Sequence, residues 1–464
     1  MIKQAVKIKL RCIFWAMLTF LLSYLAQINL AIPAFLISLY AYIKSRKLNL
    51  KNFNFLNTAL LFLIILVSSY FIIRQRWPVF YIPFSVIPML TTVLFNNLEI
   101  SLLITLATSV SVASLSSNPF VLVLLFLISA ILSSILVLGA RRRTTIIRAG
   151  VIAGIVQAIL LIFIDRFWIG QPHRYLILVL NGIASSIIVL GILPVFEYLF
   201  KTVTNISLLE SADFHHPLLQ RMIQDAPGTY HHSLVVGNLS EAACEAVGAN
   251  ALLARIGAYY HDIGKLQKPD YFSENQDVIS SKHDTLSPSM SKLIIMNHVK
   301  EGVELSKKYR LNPRLIDFIL QHHGNSLVYY FYRRALESLE EDQEVQEEGF
   351  RYPGPRPNTK ETAIVLLADS VEAATRAFKD PTPKKIEELV HKIINNKFID
   401  GQLDECDLTL KDLEKISSVF IRILSGIYHS RVTYPEEPRR SENNHKKFPK
   451  EDSRQSDKAQ KNNS

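Results

Sequence analysis

The sequence predicts an all-α protein: an N-terminal polytopic transmembrane helical bundle over residues 1–201, then an all-helical soluble domain over residues 202–434. Three observations lead there. Apolar runs of roughly 17 residues or more, the length a helix needs to cross a bilayer, recur through the first 200 positions and then stop. Beyond Lys201 apolar residues return at three- and four-residue spacing, with no sustained alternation of the kind a strand shows. The charges divide at the same place. Of 51 Lys and Arg, 17 lie within residues 1–201 against three acids (Glu99, Asp165, Glu197), leaving 34 basic and 38 acidic residues for the remainder.

Eight apolar runs are long enough to span, near 10–26, 28–43, 57–73, 79–95, 100–116, 119–139, 147–166 and 175–200. The first two meet at Gln27-Ile28-Asn29 and read as two spans, one broken helix or a re-entrant pair. Lys3, Lys7, Lys9 and Arg11 before the first run resemble the start of a signal peptide, but no small-residue cleavage motif follows and further spans do, so a retained span is expected. With the N-terminus inside, the inner segments carry Lys3, Lys7, Lys9, Arg11, Lys44, Arg46, Lys47, Lys51, Arg141, Arg142, Arg143, Arg148 and Lys201. The outer loops carry only Arg74, Arg76, Arg166 and Arg174. This bias and an even number of spans place everything after Lys201 in the cytoplasm.

The three acids fall at span ends rather than at the bilayer midplane where transporters keep ionisable groups, so the bundle reads as an anchor and sensor. The basic pI of about 9.3 comes from the membrane flanks. The soluble half lacks the excess of Lys and Arg that a nucleic-acid face would show, so no nucleic-acid partner is expected. Cys12, Cys244 and Cys406 have no CxxC spacing, which excludes a zinc ribbon or a disulfide framework and fits a reducing compartment.

In the soluble half Thr229 is expected to cap a helix through His232 and Ala243, followed by the helix ending at His261, one from Pro288 to Tyr309, and one from Pro313 to His323 stopped by Gly324. An acidic helix near 335–348, a Pro-rich loop (Tyr352 to Pro357), an apolar helix carrying Asp369 and one or two more helices to Tyr428 complete it. Residues 435–464 are polar and mixed in charge, and are expected to be disordered.

Histidine and aspartate carry the chemistry. His261-Asp262 closes the apolar helix Leu252–Tyr260, where a carboxylate is costly unless paired or bound to metal. A second pair, His283-Asp284, lies among Ser280, Ser281, Thr285, Ser287 and Pro288 and reads as loop. His232 follows another histidine, His298 sits in an apolar stretch, His322-His323 ends a helix, and each alone has an ordinary structural explanation. Asp369, within Ile364–Ala368, is harder to explain that way; its nearest conventional partner in sequence is Arg376, two turns on. Together the order His, His-Asp, His, His-His, Asp suits a convergent site. Oxygen and imidazole donors without thiolate suit first-row metals such as iron or manganese, and seven ligands with one bridging Asp suffice for two ions.

These residues carry a resemblance. Pro227-Gly228-Thr229-Tyr230-His231-His232-Ser233, His261-Asp262-Ile263-Gly264-Lys265, His283-Asp284, His298-Val299, Gln321-His322-His323-Gly324, Phe350 to Pro357 and Ala368-Asp369-Ser370-Val371-Glu372-Ala373 are similar to the HD-domain metal-dependent phosphohydrolases. Over about residues 28–430 the chain resembles the seven-transmembrane HD phosphodiesterases of bacteria that hydrolyse cyclic di-AMP. The resemblance implies that residues 202–434 form a cytoplasmic HD domain and that His232, His261, Asp262, His298, His322, His323 and Asp369 ligate two divalent metal ions, iron or manganese. Asp262 would bridge, with His232, His261 and Asp369 on one ion and His298, His322 and His323 on the other.

The implied activity is opening of cyclic di-AMP to linear pApA at a bacterial plasma membrane, with the bilayer and a cyclic dinucleotide as partners and a homodimer as an assembly. Asp262 and Lys265 are the expected catalytic residues, Lys265 stabilising phosphorane charge or protonating the leaving oxygen. Arg356 and Arg376 are weaker candidates for phosphate contacts. Two other readings stay open: an HD phosphohydrolase acting on cyclic di-GMP or a mononucleotide, and a non-catalytic nucleotide-binding receptor. Asn325-Ser326-Leu327 after His322-His323-Gly324 departs from the Gly-Tyr-Pro signature of enzymes acting on cyclic di-GMP. Family members also carry a large extracytoplasmic domain after the first span, where this sequence has only Gln27-Ile28-Asn29.

Overall fold

The computed structural model describes residues 55–429, apart from 117–118, 167–170, 201, 277–281, 339–344 and 379–381. The expected spans near 10–26 and 28–43, their junction at Gln27–Asn29 and the tail 435–464 lie outside the described residues. Among the described residues the fold is helical, with no strand and a single isolated bridge between Leu327 and Arg351.

The N-terminal bundle contains α1 (Phe55–Arg74), α2 (Val86–Phe95), α3 (Leu98–Ala113), α4 (Pro119–Val137), α5 (Arg143–Ile164) and α6 (Pro172–Phe200). By length and composition α4, α5 and α6 are apolar enough to cross a membrane. The expected continuous span near 79–95 is instead a short turn, Val79–Tyr81, and the ten-residue α2. Pro78 and Pro83 interrupt the hydrogen-bond ladder there. The carbonyls of Phe80 and Ile82 are met by the Asn181 side-chain amide, which donates to them at 2.9 and 3.0 Å from within α6. Irregular backbone at membrane depth is tolerated where protein groups satisfy it in this way. Val86 to Leu94 are buried, so α2 is enclosed by its neighbours. Hydroxyls tie it in: Thr91 and Thr92 lie 2.8 and 2.6 Å from Ser101, which lies 3.2 Å from Ser134.

Small residues set the α5–α6 pairing. Gly150 and Gly154 face Gly182 so closely that a Cβ added to Gly182 would meet the Gly150 carbonyl oxygen at 2.2 Å. Backbones approach this way in membrane helix pairs because lipid offers no hydrophobic gain and contact area must supply the attraction.

The helical domain begins directly after α6. It comprises α7 (Asn205–Ser211), α8 (Pro217–Asp225), α9 (Pro227–Val247), α10 (Ala251–Tyr260), α11 (Pro288–Lys308), α12 (Pro313–Gln321), α13 (Tyr329–Glu337), α14 (Lys360–Arg376), α15 (Pro383–Ile399) and α16 (Leu410–His429). Helix α9 starts at Pro227, not at a Thr229 cap. Proline suits the first turn, where its missing N–H costs nothing, and Thr229 instead donates to Glu274 at 3.1 Å. The helix expected near 335–348 is found earlier, as α13; residues 339–344 lie outside the described set, and 347–350 form a 3₁₀ turn. Val236, Leu239 and Ala243 of α9 pack with Ile364 to Ala368 of α14, Ile386 and Val390 of α15, and Ile416 and Phe420 of α16. This core fixes α14 against α9, which positions Asp369 opposite His232.

The two parts meet at one end of the bundle. Arg143, at the start of α5, donates twice to the Glu210 carboxylate of α7, at 2.6 and 3.0 Å. Glu197, near the end of α6, is buried and accepts from the Thr204 amide at 2.9 Å and from the Ser207 hydroxyl at 2.7 Å, anchoring the first turn of α7. Gly182→Val is expected to force α5 and α6 apart and to lower the thermal unfolding midpoint in detergent by several degrees, whereas Gly191→Ala, with nothing within 4 Å, leaves it unchanged. Equal midpoints for the two variants in a melting curve would count against this packing.

Candidate metal centre

Five segments deliver the site. Helix α10, capped by Asn250 accepting from the Leu253 amide at 3.1 Å, ends at Tyr260, and the backbone then turns through His261 and Asp262 into a 3₁₀ turn, Ile263–Gln267. The turn lies directly against α11. A Cβ on Gly264 would fall 1.8 Å from the His298 carbonyl oxygen, so only glycine allows the approach that sets His298 beside Asp262. His232 comes from α9, His322 and His323 from the end of α12, and Asp369 from the middle of α14.

Their ligand atoms form two groups that share Asp262, each with all atoms within 4.8 Å of one another: His232, His261, Asp262 and Asp369 in one, and Asp262, His298, His322 and His323 in the other. The two carboxylate oxygens divide between them. Oδ2 of Asp262 lies 3.2 Å from His261 Nε2 and 3.6 Å from His232 Nε2, while Oδ1 lies 3.3 Å from His298 Nε2 and 3.5 Å from His322 Nε2. Asp369 Oδ1 is 3.1 Å from His232 Nε2, and Oδ2 is 3.6 Å from His323 Nδ1.

Backbone carbonyls fix the tautomers. Nδ1 of His261 donates to the Ala258 carbonyl at 2.6 Å, that of His298 to Ile295 at 2.5 Å, and that of His322 to Ile319 at 3.0 Å. A carbonyl only accepts, so Nδ1 carries a proton and Nε2 is the ring atom that faces inward as the available ligand atom. His232 Nδ1 pairs with the Glu372 carboxylate at 2.5 Å, to the same effect. The result is Nε2 of His298 facing Nε2 of His322 at 3.2 Å, while Nε2 of His232 and His261 and Oδ1 of Asp262 are buried with no hydrogen bond. Buried acceptors turned on one another are costly, and a cation between them removes the cost. The donor set therefore fits divalent metal.

Electrostatics agree with a strongly charged interior. Burial opposes ionisation of Asp262, but His261 and Lys265 outweigh it and hold the carboxyl well below its usual range. His298 is pushed down to about 4, chiefly by burial. For His261, burial is overcome by the Asp262 and Asp369 charges, which lift the ring to about 10 in the absence of metal.

The expected residues sort cleanly. Of the adjacent pair, His231 is exposed and His232 buried in the cluster. His283 is buried and its Nε2 meets the Tyr271 carbonyl at 2.8 Å, outside both groups, as a loop-shaping residue would. Lys265 Nζ is 2.8 Å from Asp262 Oδ2 and 2.6 Å from Glu274 Oε1; burial disfavours its charge, yet the two carboxylates hold it above the ordinary lysine range. Arg376 does not pair with Asp369. It donates to Glu372 at 3.0 Å, one turn away, and Asp369 is neutralised by histidines instead. Arg356 contacts Asn325 at 3.1 Å and Asp404 at 3.3 Å.

Sequence reasoning overlooked Glu372, Glu274 and Tyr352. Glu372 stands one helical turn after Asp369, so a second carboxylate on the same buried face was the available signal. Glu274 lies in a short 3₁₀ turn that no periodicity marks. Tyr352 stacks on His323, with ring centroids 4.3 Å apart.

Comparison with known proteins follows the same division. Residues 18–204 match a family described as a 7TM receptor with intracellular HD hydrolase, and residues 229–374 match the HD domain. The chain belongs to the seven-transmembrane HD family. It is 46% identical over 324 residues to the Bacillus subtilis protein named cyclic-di-AMP phosphodiesterase PgpH, covering 68% of this chain and 45% of that protein. To the Listeria monocytogenes protein of the same name it is 38% identical over 365 residues, covering 77% and 50%. The chain thus spans about half the length of the curated relatives it matches. The crystal structure of the L. monocytogenes PgpH HD domain in complex with cyclic-di-AMP is 47% identical, covering 46% of this chain and 99% of that one, with a TM-score of 0.45.

Glu372→Ala should free the His232 ring and weaken divalent-metal affinity by roughly 10- to 100-fold, the usual effect of losing a residue that orients a ligand histidine. Metal titration of the purified variant checks this, and wild-type affinity would show that Glu372 does not orient His232.

Proposed function

We propose that the protein is a membrane-anchored, metal-dependent phosphodiesterase that hydrolyses cyclic di-AMP to linear pApA, with its HD domain on the cytoplasmic side. The observation that carries this reading is the division of Asp262, one oxygen toward each of two imidazole-rich groups, which suits a bridging ligand between two cations. The substrate follows from the names of the relatives, and the orientation from the basic inner segments, whose Arg143 contacts the helical domain.

His232, His261 and Asp369 would hold one ion and His298, His322 and His323 the other, with Asp262 common to both. Carboxylate and imidazole donors without thiolate favour iron or manganese. Bound there, two divalent cations supply Lewis acidity toward phosphate oxygens and lower the pKa of a water for in-line attack. The chain supplies the rest. Nδ1 contacts to carbonyls and Glu372 keep four rings turned with Nε2 toward the cluster. Tyr352 and His322 flank the ring of His323, which keeps it in place at the more open side of the site.

Lys265 acts through its charge. Clamped by Asp262 and Glu274, the ammonium keeps its proton and stabilises negative charge developing on phosphate, so the proton-donor role suggested by sequence is not retained. We assign Arg376 to Glu372 and through it to His232, and Arg356 to the loop after His323, rather than to substrate.

Full-length protein loaded anaerobically with iron or manganese should convert cyclic di-AMP to pApA and lose that activity on chelation. Asp262→Ala should reduce the rate by on the order of 1,000-fold or more, the scale expected when one member of a catalytic unit is removed. Faster turnover of cyclic di-GMP or a mononucleotide in a parallel assay would reassign the substrate, and an unchanged rate in Asp262→Ala would refute the site. Lys265→Met should lower kcat by on the order of 100-fold with metal content intact, and loss of metal instead would make Lys265 a structural partner of Asp262.

A further inference from the structure

Lys397, near the end of α15, is a partly buried cation that no ion pair accounts for. Its Nζ donates to the Ser326 hydroxyl at 2.7 Å, and among the described residues no carboxylate lies within salt-bridge distance of it. Withdrawing an ammonium from water without a counter-ion is costly, and burial lowers its pKa here. Groups perturbed in this way cluster at functional sites.

Its surroundings indicate which ligand. Ser326 is buried, its amide donates to the His323 carbonyl and its carbonyl accepts from the Tyr352 amide, both at 3.0 Å. Ser326 thus ties the ammonium to the stacked His323–Tyr352 pair. His323 is the most exposed member of the cluster, with 24% of its side chain accessible against 10% or less for the others, so this is the edge at which a substrate meets the site. Of the charges acting on Lys397, that of Asp369 in the cluster exceeds that of Asp400.

We propose that Lys397 is a substrate-binding residue, held by Ser326 at the His323–Tyr352 edge, that donates to a non-bridging phosphate oxygen of the phosphodiester. The inference rests on the phosphodiesterase reading for its substrate, and on the position of Lys397 alone for its preference for phosphate. Lys265 is neutralised by two carboxylates, whereas Lys397 has one uncharged partner, Ser326, and retains two donors for an incoming anion.

The test uses metal-loaded, full-length Lys397→Met, Lys397→Arg and Ser326→Ala. For cyclic di-AMP, Lys397→Met should raise KM about tenfold or more, as expected for losing a charged hydrogen bond, with a smaller change in kcat. Lys397→Arg should recover most of that loss, and Ser326→Ala, which removes the acceptor that holds the ammonium but keeps its charge, should raise KM by less than Lys397→Met. Independently of turnover, inorganic phosphate should raise the melting temperature of the metal-loaded wild type and of Lys397→Arg more than that of Lys397→Met. Unchanged KM and an unchanged phosphate shift in Lys397→Met would overturn the proposal, as would loss of bound metal in that variant or a Ser326→Ala defect equal to it. If the wild type does not turn over cyclic di-AMP, the phosphodiesterase reading fails, while the phosphate shift still decides whether Lys397 binds phosphate.

Discussion

A carboxylate sealed from water, with each of its oxygens turned to a different set of imidazoles, is the constraint around which the helical domain is arranged. Asp262 would be expensive to bury alone. It is tolerated because Lys265 sits against Oδ2 and because five histidines surround it and Asp369. Each neighbour makes its own demand. The turn carrying Asp262 must touch α11, which requires the bare backbone of Gly264, and α14 must press on α9 to bring Asp369 and Glu372 against His232. Helix packing in this domain is therefore inseparable from the arrangement of the charged site.

The imidazoles show how a helix bundle prepares lone pairs. His261, His298 and His322 each donate Nδ1 to a carbonyl three residues earlier, within the turn from which the ring projects. The local backbone thus chooses the tautomer without help from another part of the chain. His232 is the exception, and its proton is held by Glu372, which Arg376 in turn neutralises. Contacts of this kind tune metal affinity by orienting the ring that binds.

The membrane bundle joins this arrangement at α10, which ends at Tyr260. Glu197 of α6 fixes the start of α7, the Tyr260 hydroxyl donates to the Ser211 carbonyl at the end of α7 at 2.5 Å, and Tyr260 is the residue before His261. Arg143 and Glu210 brace the same junction from the start of α5. With the Ser211 hydroxyl donating to the Ser207 carbonyl at 2.9 Å, a contiguous set of part-buried polar contacts runs from Glu197 of the last membrane helix to Tyr260, the residue before His261.

The sequence by itself determined the division into an apolar bundle and a helical domain, because length, hydropathy and charge are local and additive along the chain. It also pointed to seven His and Asp residues, through the order His, His-Asp, His, His-His, Asp and the resemblance that order carries, with Asp369 after the apolar run Ile364–Ala368 the hardest of them to explain otherwise. Tertiary structure decided what no spacing encodes. It broke the run near 79–95 around Asn181 and gave Arg376 to Glu372 instead of Asp369. It also placed Glu274, Tyr352 and Lys397 beside residues far from them in sequence. The physical reason is the same in each case: pairing energy depends on distance between groups on different helices, and those distances exist only once the helices have packed.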